Sequence, residues 1–132
     1  MQQLAGSVWL GRLALLGLCA AYLQGGINKL LDFPGAVAEA AHFGLPWPVA
    51  VAALTIVIEL GGSAMVLAGR GRAIGSALLA VFTLAASCIA NAFWRLPVGQ
   101  ERFMAANAFF EHLGLVGAFL VVARLAWRGE RP

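Results

Sequence analysis

Glu59 is the residue whose chemistry is most unusual for its surroundings. It lies midway through a long apolar stretch, four residues from both Thr55 and Ser63. A carboxyl group at the centre of a membrane-crossing helix costs about 2.5–3.5 kcal/mol on insertion scales, so it must be protonated, paired or solvated. Ionisable groups in such positions usually serve function. We therefore predict a functional role for Glu59, with a purely structural ion pair as the alternative.

Polar side chains recur at helical spacing in the other apolar stretches as well. Residues four apart share a helix face, so each stretch offers one polar stripe and four stripes can meet inside a bundle. Lys29 and Arg95 are the predicted partners of Glu59, because their long side chains can reach inward from a membrane surface. The candidates for a polar cavity or for proton transfer are Glu59, Lys29, Asn28, Gln24, Asn91, Arg95, Glu111 and His112.

His112 and its neighbour Glu111 suit either a proton relay or a pair of ligands. The alternative is an interfacial histidine that is hydrogen-bonded to a neighbouring helix. Metal binding is not predicted, because two histidines and two isolated cysteines give no zinc or copper spacing. The one haem arrangement that the sequence allows would use His42 together with His112. Catalytic residues are not identified, since the sequence has no CxxC, phosphate-binding loop or Ser/His/Asp set.

The elements that carry these residues are predicted to be transmembrane helices. The chain has 132 residues, of which 61% are hydrophobic and only 11% charged, against about 25% charged in a soluble domain, and its mean hydropathy is +0.85. Disorder is excluded because apolar side chains dominate, and a disulfide scaffold is excluded because the chain has only two cysteines. Nucleic-acid binding is excluded because the net charge of +3 comes from scattered arginines.

Four stretches reach the length of about 20 apolar residues that a transmembrane helix needs. They cover residues 8–31, 49–68, 73–94 and 107–127. The sequence therefore predicts one all-α domain over residues 1–132, a polytopic membrane protein built as a four-helix bundle.

The basic residues predict the orientation of this bundle. With the N-terminus in the cytoplasm, six basic residues lie on the cytoplasmic side and three on the outer side, in agreement with the positive-inside bias. Both termini are therefore predicted to be cytoplasmic. Most of the candidate polar residues then lie in the outer half of the membrane, which predicts a polar cavity open to the outer face with Glu59 at its floor.

The two outer connections differ in character. Residues 32–48 form a long connection, and its spacing of apolar residues predicts a short interfacial helix over residues 33–43 that ends at Gly44 and Pro46. Residues 95–106 are polar, and we expect a loop there that serves as a lid or as a contact for a partner.

Several segments of the chain resemble DoxX-type membrane proteins. Residues 25–32, GGINKLLD, are similar to the Gly-x-x-Lys-Leu element that closes the first helix of that family, and residues 59–72 are similar to its second helix and basic turn. Phe93-Trp94 and residues 109–117 resemble the end of its third helix and the start of its last. The chain departs from the family where Asn91 replaces a common histidine and where Glu111-His112 replaces a common Lys-Asn pair, so chemistry through that histidine would require His112 as a substitute.

The resemblance implies a four-helix bundle in the bacterial cytoplasmic membrane and a link to redox complexes. We therefore predict an accessory subunit of a quinone-linked or oxidative-stress complex, in contact with membrane lipids and with a protein partner or further copies of itself, and without a nucleic-acid partner. A quinone or a lipid is the candidate ligand. Two alternatives stay open: a quinone-linked oxidoreductase that uses Glu59, Lys29 and His112 for proton transfer, and a small permease or channel. The apolar run at residues 64–68 counts against a path through the bundle.

Overall fold

The computed structural model describes the backbone of residues 2–130 and the side chains of residues 6–129. This part of the chain is almost entirely helical and contains no strand, so the predicted all-α class is confirmed. The α-helices are α1 (Gln2–Leu31), α2 (Phe33–His42), α3 (Pro48–Ile56), α4 (Gly62–Ala68), α5 (Arg72–Ala90) and α6 (Gln100–Glu130). A π turn over Val57–Gly61 joins α3 to α4, and a 3-10 turn over Phe93–Arg95 follows α5.

Four segments are long and apolar enough to cross a membrane. They are Gly6–Leu31, Pro48–Ala68, Arg72–Arg95 and Gln100–Gly129, and we refer to them as the first to fourth spans. In hydrocarbon every backbone polar group must be bonded within the protein, and a continuous helix achieves this within one segment. The four spans correspond to the four apolar stretches of the sequence, and they make the chain a multi-pass membrane protein.

Three helix boundaries differ from the predicted ones by four residues or more. α1 begins at Gln2, six residues before the predicted start at 8. α5 ends at Ala90, four residues before the predicted end, because Asn91 leaves the helical region with φ −115° and ψ 37°. α6 begins at Gln100, seven residues before the predicted start at 107, so the expected loop over residues 95–106 is wrong from Gln100 onward. Residues 100–106, QERFMAA, begin with three polar residues but consist mainly of strong helix formers, a property that hydropathy does not detect.

The connection between the third and fourth spans is held by aromatic rings. Phe93 and Trp94 of the 3-10 turn meet Phe109 of α6, with ring centroids 5.5 and 5.4 Å apart. Phe110 also packs against Phe93, at 5.9 Å. The two edge-on pairs with Phe109 add about 0.5–1.5 kcal/mol each beyond the area they bury. These contacts fix the 3-10 turn beside the third turn of α6.

The core lies among the first three spans, and α6 reaches it mainly through Phe119. Cys19, Val66, Leu79 and Phe119 are fully buried, and Phe119 is the one fully buried side chain among those described in α6. Its ring meets Tyr22 of α1 edge-on, with centroids 5.3 Å apart. Otherwise α6 packs along α5. The Tyr22–Phe119 contact therefore closes the bundle between its first and last helices.

α4 and α5 approach each other closely at two glycines. A Cβ atom on Gly75 would lie 2.9 Å from the carbonyl oxygen of Gly62, and a Cβ atom on Gly62 would lie 2.9 Å from Cγ of Leu79. Small residues at such crossings bring helix backbones together in membranes, where apolar burial between helices gives little driving force. These crossings therefore bring the backbones of the second and third spans close together.

Candidate functional site: a cavity around the Lys29–Glu59 ion pair

Glu59 lies in the π turn that interrupts the second span. A π turn closes its hydrogen bonds over five residues instead of four, and such turns occur frequently at functional sites. The side chain of Glu59 faces the first span, and only 5% of its surface is exposed. The carboxyl group is thus held inside the bundle, away from lipid.

Lys29, near the end of α1, forms an ion pair with Glu59. Its Nζ atom lies 2.9 Å from Oε1 of Glu59 and donates a hydrogen bond to it, and the lysine side chain is 23% exposed. Of the two partners that the sequence suggests, Lys29 is the one in contact. Arg95 lies in the exposed 3-10 turn, because the helix that would have continued its polar stripe ends at Ala90.

Two glycines of α1 create the space that the carboxyl group occupies. A Cβ atom on Gly25 would lie 2.6 Å from Oε2 of Glu59, and a Cβ atom on Gly26 would lie 2.7 Å from Cδ2 of Leu60. Any larger residue at these positions would force the Glu59 carboxylate or the Leu60 side chain to move. The Gly25-Gly26 pair therefore positions Glu59 within reach of Lys29.

Tyr22 and Thr83 form a buried hydrogen-bonded pair beside the ion pair. Oγ1 of Thr83 donates to the carbonyl oxygen of Leu79 at 2.6 Å, a bond within α5. Because the single hydroxyl proton of Thr83 is used there, Tyr22 Oη is the donor in its bond to Thr83 Oγ1. The pattern of charged and amide residues misses Tyr22, although its position three residues before Gly25 and seven before Lys29 places it on the same helix face.

These residues surround a cavity of about 440 Å³. Small-molecule sites have volumes of about 300–1,000 Å³ and are mostly apolar, with a few polar groups that orient the ligand. The walls here fit that description, with Ile58, Phe82 and Leu115 among the apolar residues. The polar and ionisable residues that line the cavity are Tyr22, Lys29, Glu39, Thr55, Glu59, Thr83 and His112.

The short helix α2 forms one wall of the cavity. Asp32 caps it, since its Oδ1 accepts a hydrogen bond from the Gly35 backbone N–H at 3.1 Å. Ala36 and Ala40 are buried and line the cavity together with Glu39. The helix predicted for residues 33–43 is present, and it ends just before Gly44, whose φ of 72° requires a residue without a Cβ atom.

A second cavity of about 340 Å³ adjoins the first between α1 and α2. Asn28 and Asp32 line it, and Lys29 and Glu39 line both cavities. The sequence candidates omit Glu39, an exposed residue of α2 that borders both cavities. Its position three residues after the buried Ala36 is the signal that places it beside them.

His112 is the candidate from the fourth span that reaches the main cavity. It is half-buried, and its Nδ1 atom lies 2.6 Å from the carbonyl oxygen of Ala108 on the preceding turn of α6. Its neighbour Glu111 is exposed and is not among the residues that line the cavity. The predicted Glu111–His112 pair is therefore divided between the outside and the inside of the bundle.

The remaining candidates lie apart from the ion pair. Asn91, directly after α5, donates from Nδ2 to Oγ of Ser87 at 3.2 Å, so its amide group is bonded to the last turn of α5. Gln24 and Asn28 are both exposed on α1. Within residues 6–129, no three His, Cys, Asp or Glu side chains come close enough together to hold a metal ion. The cavity thus brings together Lys29, Glu59 and His112 from the eight candidates, with Asn28 beside it.

Comparison with known proteins gives a family match over the part of the chain that holds the ion pair. A family model described as DoxX matches residues 8–92. Inner membrane protein YphA of Escherichia coli (strain K12) is 24% identical over 114 residues, which cover 84% of this chain and 79% of that protein. No solved structure matches the chain. The family match contains Lys29, Glu59 and α2, whereas His112 lies beyond it.

Proposed function

The chain belongs to the DoxX family, and from that premise we propose a function for its cavity. The protein is a membrane subunit that supports a redox complex, quinone-linked or concerned with oxidative stress. It does so by holding a small amphiphile, a quinone or a similar molecule, beside Lys29 and Glu59.

The observation that carries this proposal is a charged pair inside an apolar cavity. A buried ion pair is weak evidence for stability, because the cost of removing two charges from water offsets most of their attraction. Apolar groups of the same volume would serve a purely structural purpose as well. The Lys29 ammonium has three N–H donors and uses one of them on Glu59, so it can also bind the polar end of a ligand whose ring or tail lies against Ile58 and Phe82.

The direction of access follows from the proposed orientation. With both termini in the cytoplasm, the end of α1 and the start of α3 lie on the outer side, and the cavity walls formed by α2 lie there too. Residues 64–68, at the opposite end of the second span, are apolar. This arrangement supports binding from the outer half of the membrane and not a polar path across it.

Saturation binding of a radiolabelled short-chain benzoquinone to the purified protein in lipid nanodiscs tests the proposal. We expect saturable binding by the wild type. Lys29→Met should lower the affinity at least about tenfold, because it removes one charge-assisted hydrogen bond to the ligand. Glu59→Gln should lower it similarly, because Lys29 loses the partner that holds it in place. Glu111→Gln is the matched control, since Glu111 is exposed outside the cavity, and it should bind as the wild type does. Absence of saturable binding, or equal binding by all four proteins, would refute the proposed ligand.

Purification in mild detergent tests the proposed complex. Redox proteins of the membrane should copurify with the wild-type protein, and the Glu59→Gln variant should retain them while the complex loses activity. A wild-type protein that is recovered without any redox partner would contradict the role as a supporting subunit.

A further inference from the structure

We infer that His112 makes this cavity prefer the reduced, hydroxyl-bearing form of a quinone over the oxidised form. The inference rests on the proposed function and adds to it the redox state of the ligand and the residue that selects it. It follows from which hydrogen-bonding groups around the cavity are already used and which are left for a ligand.

The hydrogen bond to Ala108 decides which nitrogen of His112 carries the proton. A backbone carbonyl oxygen can only accept, so Nδ1, 2.6 Å away, is the N–H donor. In the neutral imidazole Nε2 then carries no proton and is a hydrogen-bond acceptor. His112 and Leu115 are the residues that α6 contributes to the cavity lining. The fourth span therefore presents an acceptor to the ligand.

Of the other groups that line the cavity, Lys29 is a donor to the ligand, and the Thr55 hydroxyl, which both donates and accepts, can pair with either redox form. Lys29 can only donate. The hydroxyl proton of Tyr22 is used on Thr83, and that of Thr83 is used on the Leu79 carbonyl oxygen. A ligand that contacts both Lys29 and His112 must therefore accept a hydrogen bond at one end and donate one at the other.

The two redox forms of a quinone meet this requirement differently. The carbonyl oxygens of the oxidised form only accept, so they satisfy Lys29 and leave Nε2 of His112 without a donor. The hydroxyl groups of the reduced form both accept and donate, so they satisfy both residues. A site built to pair with a hydroxyl group rejects the analogue that lacks it, because its own polar group is left unpaired.

Glu39, Glu59 and the hydroxyl oxygens of Tyr22 and Thr55 are the other acceptors in the lining, and the experiment must separate them from His112. Oε1 of Glu59 already accepts from Lys29, and Glu39 lies on an exposed part of α2. Substitution of His112 alone leaves both carboxylates in place. Any preference that depends on His112 is therefore lost selectively in His112 variants.

Competition binding of decyl-substituted benzoquinone and its quinol, performed anaerobically in nanodiscs at about pH 8, tests the inference. Imidazole groups are ordinarily neutral at that pH. We expect the wild type to bind the quinol about tenfold more tightly than the quinone. His112→Phe should lose this preference while its affinity for the quinone stays unchanged. His112→Gln, which can place an amide oxygen near the position of Nε2, should keep the preference. The control His42→Phe should keep it as well, because the His42 side chain is exposed at the end of α2.

A second variant covers the case in which His112→Phe fails to fold. The amide nitrogen of His112→Asn can still donate to the Ala108 carbonyl oxygen, but this side chain has no acceptor where Nε2 lies, so it should lose the preference as well. Equal affinity of the wild type for both forms would overturn the inference alone, and so would a preference that survives in His112→Phe or His112→Asn. Failure of the wild type to bind either form would overturn the proposed function together with the inference.

Discussion

At the scale of single residues, the Lys29–Glu59 pair is the interaction on which the site depends most directly. The two groups are on different spans, 30 residues apart in sequence, and their contact holds the first span to the π turn of the second. A partner removed from such a pair leaves the other charge without compensation in a poorly solvated place. Stability and ligand binding therefore share this one contact and can be separated by a double substitution.

Glu59→Gln should lower the free energy of unfolding by about 1–3 kcal/mol, because the Lys29 ammonium loses its counter-charge. The value is below that for a completely buried pair, since Lys29 is 23% exposed. Lys29→Met in the same chain should recover most of the loss, as no charge is then left unpaired. Denaturant titration in detergent measures both. A double variant no more stable than Glu59→Gln would show that the two side chains do not act as a pair.

Gly25→Ala should displace the Glu59 carboxylate. The new methyl group would lie 2.6 Å from Oε2, inside van der Waals contact, and the carboxylate is held by Lys29 on its other oxygen. We expect a stability loss of about 1–3 kcal/mol, typical of overpacking, and weaker ligand binding. Gly17→Ala is the matched control, because a Cβ atom there meets nothing within 4 Å. Wild-type stability and binding in Gly25→Ala would mean that the close approach of α1 is not required.

The sequence predicts the ion pair but only part of its surroundings. An acidic residue in one apolar stretch and a lysine near the end of the preceding stretch are predicted to pair, because an unpaired charge of either kind is costly in a membrane. Asn91 and Arg95 share a polar stripe only if the third helix continues past Asn91. It ends at Ala90 instead, and the backbone turn at Asn91 alters the direction of every later side chain. Tyr22 carries no charge, and its contact with Thr83 depends on how α1 and α5 pack.

At the scale of elements, α2 determines how the cavity is closed on one side. It is ten residues long, shorter than an isolated helix needs for stability in water, so its stability comes from its cap and from Ala36 and Ala40 packed against the bundle. A change that loosens the first turn of α2 without touching the lining of the main cavity should therefore affect ligand exchange more than ligand recognition.

Asp32→Ala should lower the free energy of local unfolding of α2 by about 1 kcal/mol, because the Gly35 N–H loses its acceptor. Amide exchange in residues 33–42 should accelerate roughly fivefold, and ligand dissociation should accelerate with it. Hydrogen exchange read by mass spectrometry in nanodiscs measures the first effect. Asp32→Asn keeps an oxygen at the cap and should exchange as the wild type does. Unchanged exchange in Asp32→Ala would show that packing alone holds the helix.

Most helix positions are predictable at this scale, whereas the π turn is not. Length and apolar content set the four spans, since the thickness of the hydrocarbon layer imposes both. The extra residue in Val57–Gly61 alters the hydrogen-bonding register without altering composition, and no pattern of apolar residues shows it. The start of α6 is missed for a different reason. Its first three residues are polar, so hydropathy predicts a loop where the chain is already helical.

At the scale of the whole molecule, the bundle is asymmetric in how its spans are held. The first three spans are joined through glycine crossings and the ion pair, while the fourth packs along α5 and meets α1 through Phe119. Many large apolar side chains of the first and fourth spans are exposed, among them Leu13, Val121 and Leu125. In a membrane these faces contact lipid or other proteins.

The orientation of the molecule can be tested by cysteine accessibility. In a background without Cys19 and Cys88, a cysteine at Glu39 should react with a membrane-impermeant thiol reagent added to spheroplasts, and one at Arg70 should react only after the membrane is opened. Both positions are exposed, so a difference between them reports the side of the membrane. Labelling at Arg70 in intact spheroplasts, with protection at Glu39, would reverse the orientation and the side from which the cavity opens.

The pairing of Lys29 with Glu59 also has a consequence for the response to membrane voltage. One elementary charge that crosses the whole membrane potential gains or loses about 2.3 kcal/mol per 100 mV, and a charge part of the way across gains or loses a fraction of that. Paired as ammonium and carboxylate 2.9 Å apart, the two groups carry no net charge, so a neutral ligand can enter and leave beside them without moving charge through the electric field. Occupancy of the cavity should then be the same in an energised and a de-energised membrane.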